Sequence, residues 1–413
     1  MAADTTTTCC IVGGGPAGMM AGFLLARAGI DVAVVEKHED FLRDFRGDTI
    51  HPSTLEIMHE LGLLPDFLKL PHERVEHLTG QVGDMRVQLA DFTHLPTTCR
   101  FVALMPQWDF LNFLAARGAP YREFQLRLQA EATDLAFEGE RVVGVRGKSP
   151  TGEFEIRADL VIGADGRHSV MRERAGLAVD DLGAPMDVLW MRLSRRPTDN
   201  YETMGRVDVG RVFVMLNRGD YWQCALVIPK GSAEEVRRRG LPAFRETIAE
   251  LAPFARDRLD EIKSWDDVKL LTVTVDRLRQ WYRPGLLCIG DAAHAMSPIG
   301  GVGINLAVQD AVAAANILAE PLLRRSVTVE HLAAVQQRRT FPTRATQAVQ
   351  LFVQDRFLRR VLASSTKPKP PLLLRLIALV PGLERIPARL LGLGFRPEHV
   401  RTPERPKAAT AAA

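Results

Sequence analysis

Apolar residues run unbroken from Cys9 to Val12, give way to glycines at 13, 14, 15 and 18, and resume in helix formers from Met19 to Arg27. The first run is short and does not alternate, which marks a strand buried on both faces. The second stops at Ala28-Gly29, a helix end, and a further strand-like run from Asp31 to Val35, apolar after its first residue, closes on Glu36. This order predicts a parallel strand, a glycine turn, a crossover helix and a second parallel strand. Two later segments repeat the switch from strand to turn. Asp159 to Gly163 leads into Asp165-Gly166 and a helix carrying Arg172, and Gly285 to Gly290 leads through Asp291 to Gly300, Gly301 and Gly303. An Ala-rich helix predicted to reach Leu318 follows the latter.

A different rhythm occupies the middle of the chain. Val188–Ser194, Arg211–Leu216 and Tyr221–Ile228 alternate apolar and polar positions, which predicts antiparallel strands, with Asn217 to Asp220 as a hairpin turn. No internal repeat is present. Lys367-Pro-Lys-Pro-Pro371 reads as a linker and residues 401–413 as a disordered tail. Between them, "LLLRLIALVPGLERIPARLLGLGF" holds two apolar segments with sparse arginines. It reads either as an interfacial helix making peripheral membrane contact, or as packing on the first domain or on a second subunit.

Composition narrows the functional classes. The 413 residues are 46% hydrophobic, enough for two or three domains, and 53 Lys+Arg nearly balance 50 Asp+Glu with no one-signed block, which argues against nucleic acid. Five cysteines, at 9, 10, 99, 224 and 288, form no C-x-x-C, the usage of a reducing cytoplasm. No metal site is expected. The N-terminal "MAADTTTTCC" lacks the pattern of a secretory leader.

The glycine turn has a physical reading of its own. Gly13 permits the tight turn, Gly15 lets backbone approach a pyrophosphate, and Gly18 lets helix pack on strand, while the helix N-terminus offers unpaired N–H groups to the phosphates. Glu36 stands where a carboxylate accepts from a ribose hydroxyl. The turn by itself does not separate NAD from the adenosine half of FAD. Asp291 adds a carboxylate suited to the hydroxyls of a ribitol chain, and the N-terminus of the Ala-rich helix is suited to the negative charge of a reduced flavin.

Taken together, "GGGPAG", "GADGRHSVMR" and "GDAAHAMSPIGGVGINLAVQDA" resemble the three fingerprints of the single-component FAD-dependent aromatic hydroxylases, the para-hydroxybenzoate hydroxylase family, from about residue 9 to 345. The resemblance implies an α/β fold: a Rossmann-like FAD domain (1–70, 95–177 and 270–345), an inserted antiparallel substrate sheet (71–94 and 178–269) and a helical C-terminal segment (346–400). It implies an FAD site built from Gly13, Gly15, Pro16, Ala17, Gly18, Glu36, Lys37, Arg46, Gln107, Ala132, Asp165, Gly166, Asp291, Pro298, Gly301, Gly303, Ile304 and Asn305. Trp108 departs from the family's commoner Gln-Arg pair after Gln107. NADH or NADPH as electron donor is implied without a dedicated domain, because no second G-x-G-x-x-G follows residue 60.

The activity implied is NAD(P)H- and O2-dependent hydroxylation or epoxidation of an aromatic, quinone-like or polyketide-like small molecule through a flavin C4a-hydroperoxide, by a monomer or homodimer. Pro298 would line the substrate side of the flavin. His294 reads as a proton-transfer group or, preferably, as a structural hydrogen-bonding group behind the flavin. Tyr221 and Arg211, with Arg192, Met215 and Gln223 as substrate contacts, are candidates on the middle sheet, but alternation alone does not say which face points inward. Two other readings stay open: a reductase of the geranylgeranyl type and a non-catalytic flavoprotein that sequesters a ligand. The W-x-W-x-I-P string of flavin-dependent halogenases is absent.

Overall fold

The computed structural model describes residues 5–42, 49–199 and 204–405. Strand β1 (Thr5–Val12), buried from Thr7 onward, passes through the glycine turn into helix α1 (Pro16–Arg27), itself buried along nearly its whole length. Strand β2 (Val32–Val35) lies parallel to β1, with Cys9 opposite Val32 and Val12 opposite Val35. Helix α2 (Pro52–Glu60), the hairpin of β3 (His77–Val82) and β4 (Met85–Asp91), and helix α3 (Gln107–Gly118) follow. β5 (Phe124–Arg127) returns to pair with β2. The meander of β6 (Glu131–Glu138), β7 (Arg141–Ser149) and β8 (Gly152–Gly163) ends in a 12-residue strand that serves two neighbours. Its first half pairs with β7, and its second runs parallel to β1 from Ile156 opposite Thr5 to Gly163 opposite Val12.

After the short helix α4 (Val170–Arg174) the chain builds a second sheet from β9 (Met186–Ser194), β10 (Met204–Asp208), β11 (Arg211–Asn217) and β12 (Tyr221–Pro229). Helix α5 (Leu241–Leu251) covers it and β13 (Lys269–Leu271) completes it. β14 (Leu286–Cys288) then re-enters the first sheet beside β8. Two long helices, α6 (Gly303–Leu323) and α7 (Val329–Val353), and two short ones, α8 (Leu372–Leu379) and α9 (Arg385–Gly392), finish the chain.

The parallel strands are ordered β14-β8-β1-β2-β5, and Val12, Gly163 and Cys288 end in register at one edge. In an open α/β sheet that edge is where a ligand binds. The second sheet is ordered β13-β9-β12-β11-β10-β3-β4, so residues 77–91 join strands more than a hundred positions later, through a parallel contact between β3 and β10. The three alternating segments occupy β9, β11 and β12, with Ser194 opposite Tyr221 and Asn217 opposite Trp222. The predicted hairpin turn forms as well: Asn217 Oδ1 accepts from Gly219 N at 2.9 Å, and Gly219 takes φ +81°.

This second sheet is apolar on both faces. Leu189, Met191, Leu193, Phe213, Met215, Trp222, Cys224, Leu226 and Ile228 pack against Phe244, Ile248 and Leu251 of α5 and the turns that follow it. Val188, Trp190, Val212, Val214, Ala225 and Val227 face the other way, toward Ile299 ahead of α6 and Leu351 of α7. Period-two alternation fixes the two sets, and which one meets the first sheet is decided by where α5 lies.

Two C-terminal expectations need correction. Residues 401–405, read as disordered, are docked on the first domain: the Thr402 carbonyl accepts from Arg27 Nη1 at 3.1 Å, Arg405 N donates to the Arg27 carbonyl at 2.9 Å, and Tyr121 donates to Glu404 at 2.8 Å. Residues 406–413 lie outside the described residues. Nor does a break fall at 345, because α7 runs through it as one helix. Residues Ile299–Leu323 have the length and composition to cross a membrane, but 83% of that apolar window is buried, which is the pattern of a core helix. All five cysteines are free and buried.

The layer under α5 contains a buried ion pair. Arg258 Nη1 lies 2.6 Å from Asp199 Oδ2, which also accepts from Trp222 Nε1 at 3.0 Å. Removing the carboxylate leaves a guanidinium 3% exposed with only the largely exposed Asp257, 3.4 Å from its Nε, as counter-charge. Asp199→Ala should therefore lower unfolding stability by about 3–5 kcal/mol, read as a lower urea midpoint at unchanged m-value.

Candidate functional site

Three turns meet at the edge of the parallel sheet because their glycines leave no room for side chains. A Cβ on Gly13 would lie 2.3 Å from the Ala164 carbonyl oxygen, one on Gly18 would lie 1.9 Å from the Gly13 carbonyl oxygen, and one on Gly290 would lie 3.0 Å from Ala17 Cβ. Gly13 takes φ +106°, open to glycine and strained for other residues. At Gly15, by contrast, a Cβ meets no described atom within 4 Å. So Gly13 and Gly18 are required for internal packing, whereas Gly15 borders open space at the start of α1. Pro16 opens that helix, Ala17 is buried just behind, and no side chain among the described residues caps it. Its first N–H groups remain available to an anion.

Glu36 braces this turn from the tip of β2, accepting from Gly14 N at 2.8 Å and from His38 N at 3.1 Å. Lys37 is exposed and lines an open cleft of about 650 Å³ with His38, Gln129, Glu131 and Lys148. Ala132 is buried in β6 with its backbone in register with Gly147. Gln107 opens α3, half-buried. Arg46 lies outside the described residues.

Asp165 stabilises the second turn. Its carboxylate accepts from Ser169 Oγ at 2.5 Å and Met171 N at 3.1 Å, and burial pushes its pKa up. Gly166 beside it takes φ +83°. Arg172, noted in the sequence without a role, joins the second turn to the third. It reaches both oxygens of Asp276 at 3.1 and 3.3 Å and the Ala292 carbonyl at 3.4 Å, while Asp276 accepts from Ala295 N at 3.1 Å. Asp291 is a third exposed, with Arg167 at 3.8 Å.

The loop from Ser297 to Gly303 follows. Gly300 and Gly301 take φ +78° and +63°, where a Cβ would meet Leu391 at 2.6 Å and Thr49 Oγ1 at 2.4 Å. Pro298 stands half-buried at its outer side, and a Cβ on Gly303 meets no described atom within 4 Å. Helix α6 starts here with no side-chain cap among the described residues, so the backbone N–H groups of Gly303, Ile304 and Asn305 present a second anion site. The Asn305 side chain itself is not available to a ligand: its Oδ1 accepts from His51 N at 2.9 Å and Thr54 Oγ1 at 2.7 Å.

Several candidates are corrected by burial and by sheet face. His294 is 1% exposed and lies behind the loop against Trp281, its Nε2 2.6 Å from Asp310, so of its two readings the geometry favours the structural one. Arg211 and Met215 lie on the α5 side of the second sheet. Arg211 pairs with Glu250 of α5, and Met215 is buried in the core beneath that helix. Arg192, Tyr221 and Gln223 alternate onto the other face. There the Arg192 guanidinium stacks 3.8 Å over the Tyr221 ring, a cross-strand pair that accounts for both without a catalytic role, and Gln223 accepts from Arg218 Nε at 3.0 Å.

What the sequence reading missed is the support behind the loop. Along α7 and the turn after it, Arg339, Thr343, Gln347, Gln350 and Gln354 form a buried polar stripe spaced by four, four, three and four. Gln350 Nε2 donates to the Ser297 and Ile299 carbonyls at 2.9 Å each, Gln354 donates to Ser297 Oγ at 2.6 Å, and Gln347 donates to the Asp276 and Ala295 carbonyls. Arg339 donates to Asp310 at 2.8 Å and reaches Glu398 at 3.4 Å. The helical spacing was visible, but a polar stripe ordinarily reads as a solvated face.

His51 ties the loop to the C-terminal segment. Its Nδ1 donates to the Leu391 carbonyl at 2.7 Å, and its backbone holds Asn305. Burial lowers its pKa from 6.5 to about 4 against the opposing pull of the Leu391 and Gly301 carbonyls. With the folded value below the unfolded one, its contribution is complete above pH 6.5 and is lost as pH falls through 4. That loss should be about 3 kcal/mol. Urea unfolding between pH 7 and 4 should show this drop in the wild type and not in His51→Gln.

Comparison with known proteins agrees with this geometry. A family model described as FAD binding domain matches residues 6–349. The chain is 33% identical over 363 residues to 6-methylpretetramide 4-monooxygenase of Streptomyces rimosus, covering 87% of this chain and 86% of that one. Five further curated relatives are longer, and the chain spans 53% to 62% of their length. Among solved structures, OxyS anhydrotetracycline hydroxylase from Streptomyces rimosus superposes with TM-score 0.72 at 22% identity, over 94% of this chain and 76% of that one. PqsL of P. aeruginosa, solved with 2-aminobenzoylacetate, superposes with TM-score 0.71 at 21% identity, over 86% and 98%.

Proposed function

The chain belongs to the FAD binding domain family and is an FAD-dependent monooxygenase, and from that premise we propose that it uses NADH or NADPH and dioxygen to hydroxylate a polycyclic, polyketide-like aromatic in the cytoplasm. The observation that carries this reading is the convergence of the three glycine turns on one sheet edge, with the second sheet turned toward the loop before α6. FAD fits these residues. Gly15 borders open space where a pyrophosphate can approach uncapped N–H groups, and Glu36 at the tip of β2 and the partly exposed Asp291 would take the ribose and the ribitol. At the far end the uncapped N–H groups of Gly303, Ile304 and Asn305 would hold the pyrimidine edge of the flavin. The flavin supplies electron transfer and oxygen activation when bound.

The protein's part is to position substrate and keep water out. We place the substrate between Pro298 and Ile299 on the loop and the sheet face carrying Trp190, Val214, Leu216 and Gln223, with Leu391 of α9 closing one side. Most of these groups are apolar, which suits a flat fused-ring compound. Residues 77–91 and 186–271 share this sheet and together form the substrate-binding part. The similarity to a 4-monooxygenase of 6-methylpretetramide supports the same substrate class.

The purified protein should be yellow, and its NADPH or NADH oxidation should accelerate on adding an aromatic polyketide, with oxygen consumed and product heavier by one oxygen. A colourless protein that cannot be loaded with FAD overturns the reading. Saturation of a double bond without oxygen uptake would replace it with the reductase.

Gly15→Ala tests the pyrophosphate contact separately. The new methyl meets no described atom and the backbone there is extended, so unfolding stability should change by less than about 1 kcal/mol. FAD affinity should fall by at least about tenfold, measured by flavin fluorescence titration.

A further inference from the structure

Helix α8 has its apolar side turned outward. Leu372, Leu373, Leu376 and Leu379 lie at positions i, i+1, i+4 and i+7, a stripe about 120° wide on an α-helix, and Val380 follows directly after its end. All five are exposed, Leu372 to 72% and Leu379 to 76%, and Ile386 at the start of α9 adds another exposed side chain. Leu374 packs toward the second sheet instead, so the helix is seated on its inner side. Exposed aliphatic residues clustered in this way mark an interaction surface.

The charges around the stripe identify the occupant. Between Ala363 and Pro397 stand Lys367, Lys369, Arg375, Arg385, Arg389 and Arg396, against the single acid Glu384. Lys367 is paired with Asp84, whereas Arg375 and Arg389 are exposed with no ion pair among the described residues, and Lys369 is likewise exposed. A second copy of the chain packed on this face would bring the same basic residues together, and the stripe lacks the aromatic anchors typical of protein interfaces. An anionic bilayer satisfies both features, accepting leucines below the headgroups and neutralising Lys and Arg at the surface.

We infer that α8 and the start of α9 form a docking surface for an anionic lipid membrane, on which the protein lies peripherally. The same segment continues to Leu391 against Gly300, so docking would bring the substrate side of the loop near the bilayer. That consequence rests on the flavin reading, whereas vesicle binding does not.

The test uses the purified full-length holoprotein, sedimented with vesicles of phosphatidylcholine alone or mixed with phosphatidylglycerol. Wild type should pellet with the anionic vesicles and be released by high salt. Leu373→Glu/Leu376→Glu and, separately, Arg375→Glu/Arg389→Glu should reduce the bound fraction at least about tenfold with flavin absorbance retained. Three results overturn the proposal: wild type left in the supernatant with both vesicles, equal binding to phosphatidylcholine alone, or undiminished binding by the leucine variant. A wild-type dimer that the leucine variant converts to monomer, without vesicle binding, assigns the surface to a second copy instead.

Discussion

Asp310 is the point on which the site depends. Its side chain is fully buried, yet it accepts from Gly290 N at 3.0 Å, from His294 at 2.6 Å and from Arg339 at 2.8 Å. Burial pushes the carboxyl up, and His294 and Arg339 outweigh that push and hold it low. A buried carboxylate is tolerable only with every lone pair engaged, so these partners must be placed together or not at all. They come from the third glycine turn, from the loop behind the site and from α7. Arg339 extends the chain to Glu398, which Arg338 also holds at 2.7 Å and whose own backbone N–H donates to Gln309. The chain at Glu398 is thereby coupled to the turn that carries Asp291.

A second bracket does for the other half of the site what Asp310 does for the first. Arg172 and Asp276 join the Asp165 turn to the strand end at Ala292–Ala295. Gln347, Gln350 and Gln354 then hold the loop from behind. These amides leave the loop's outer surface, with Pro298 and the uncapped start of α6, facing whatever binds there. No side chain among the described residues caps α1 or α6, which leaves their first N–H groups open at this edge.

Much of the candidate site was legible in the sequence for reasons local to each segment. Gly13, Gly15 and Gly18 are set by φ, by approach and by packing, and the strand-turn-helix order around Asp165 and Asp291 follows from apolar runs ending in acids and glycines. The middle sheet was legible strand by strand, because period two is a local property. Its pairing with residues 77–91 was not, since nothing local specifies a parallel neighbour so far back in the chain. Nor was the buried polar stripe of α7, because the same spacing describes a solvated face.

The sequence alone determined the parallel nucleotide-binding unit, the three turns, their order and the alternating strands, since each rests on backbone geometry and on the period of neighbouring side chains. Only the tertiary structure decided which sheet face meets the loop, and so put Arg211 and Met215 on the α5 side and set His294 behind the loop. It also docked residues 398–405 on the first domain and turned the leucines of α8 outward. These outcomes depend on which other layer covers a surface, and that is a property of the packed chain rather than of any segment.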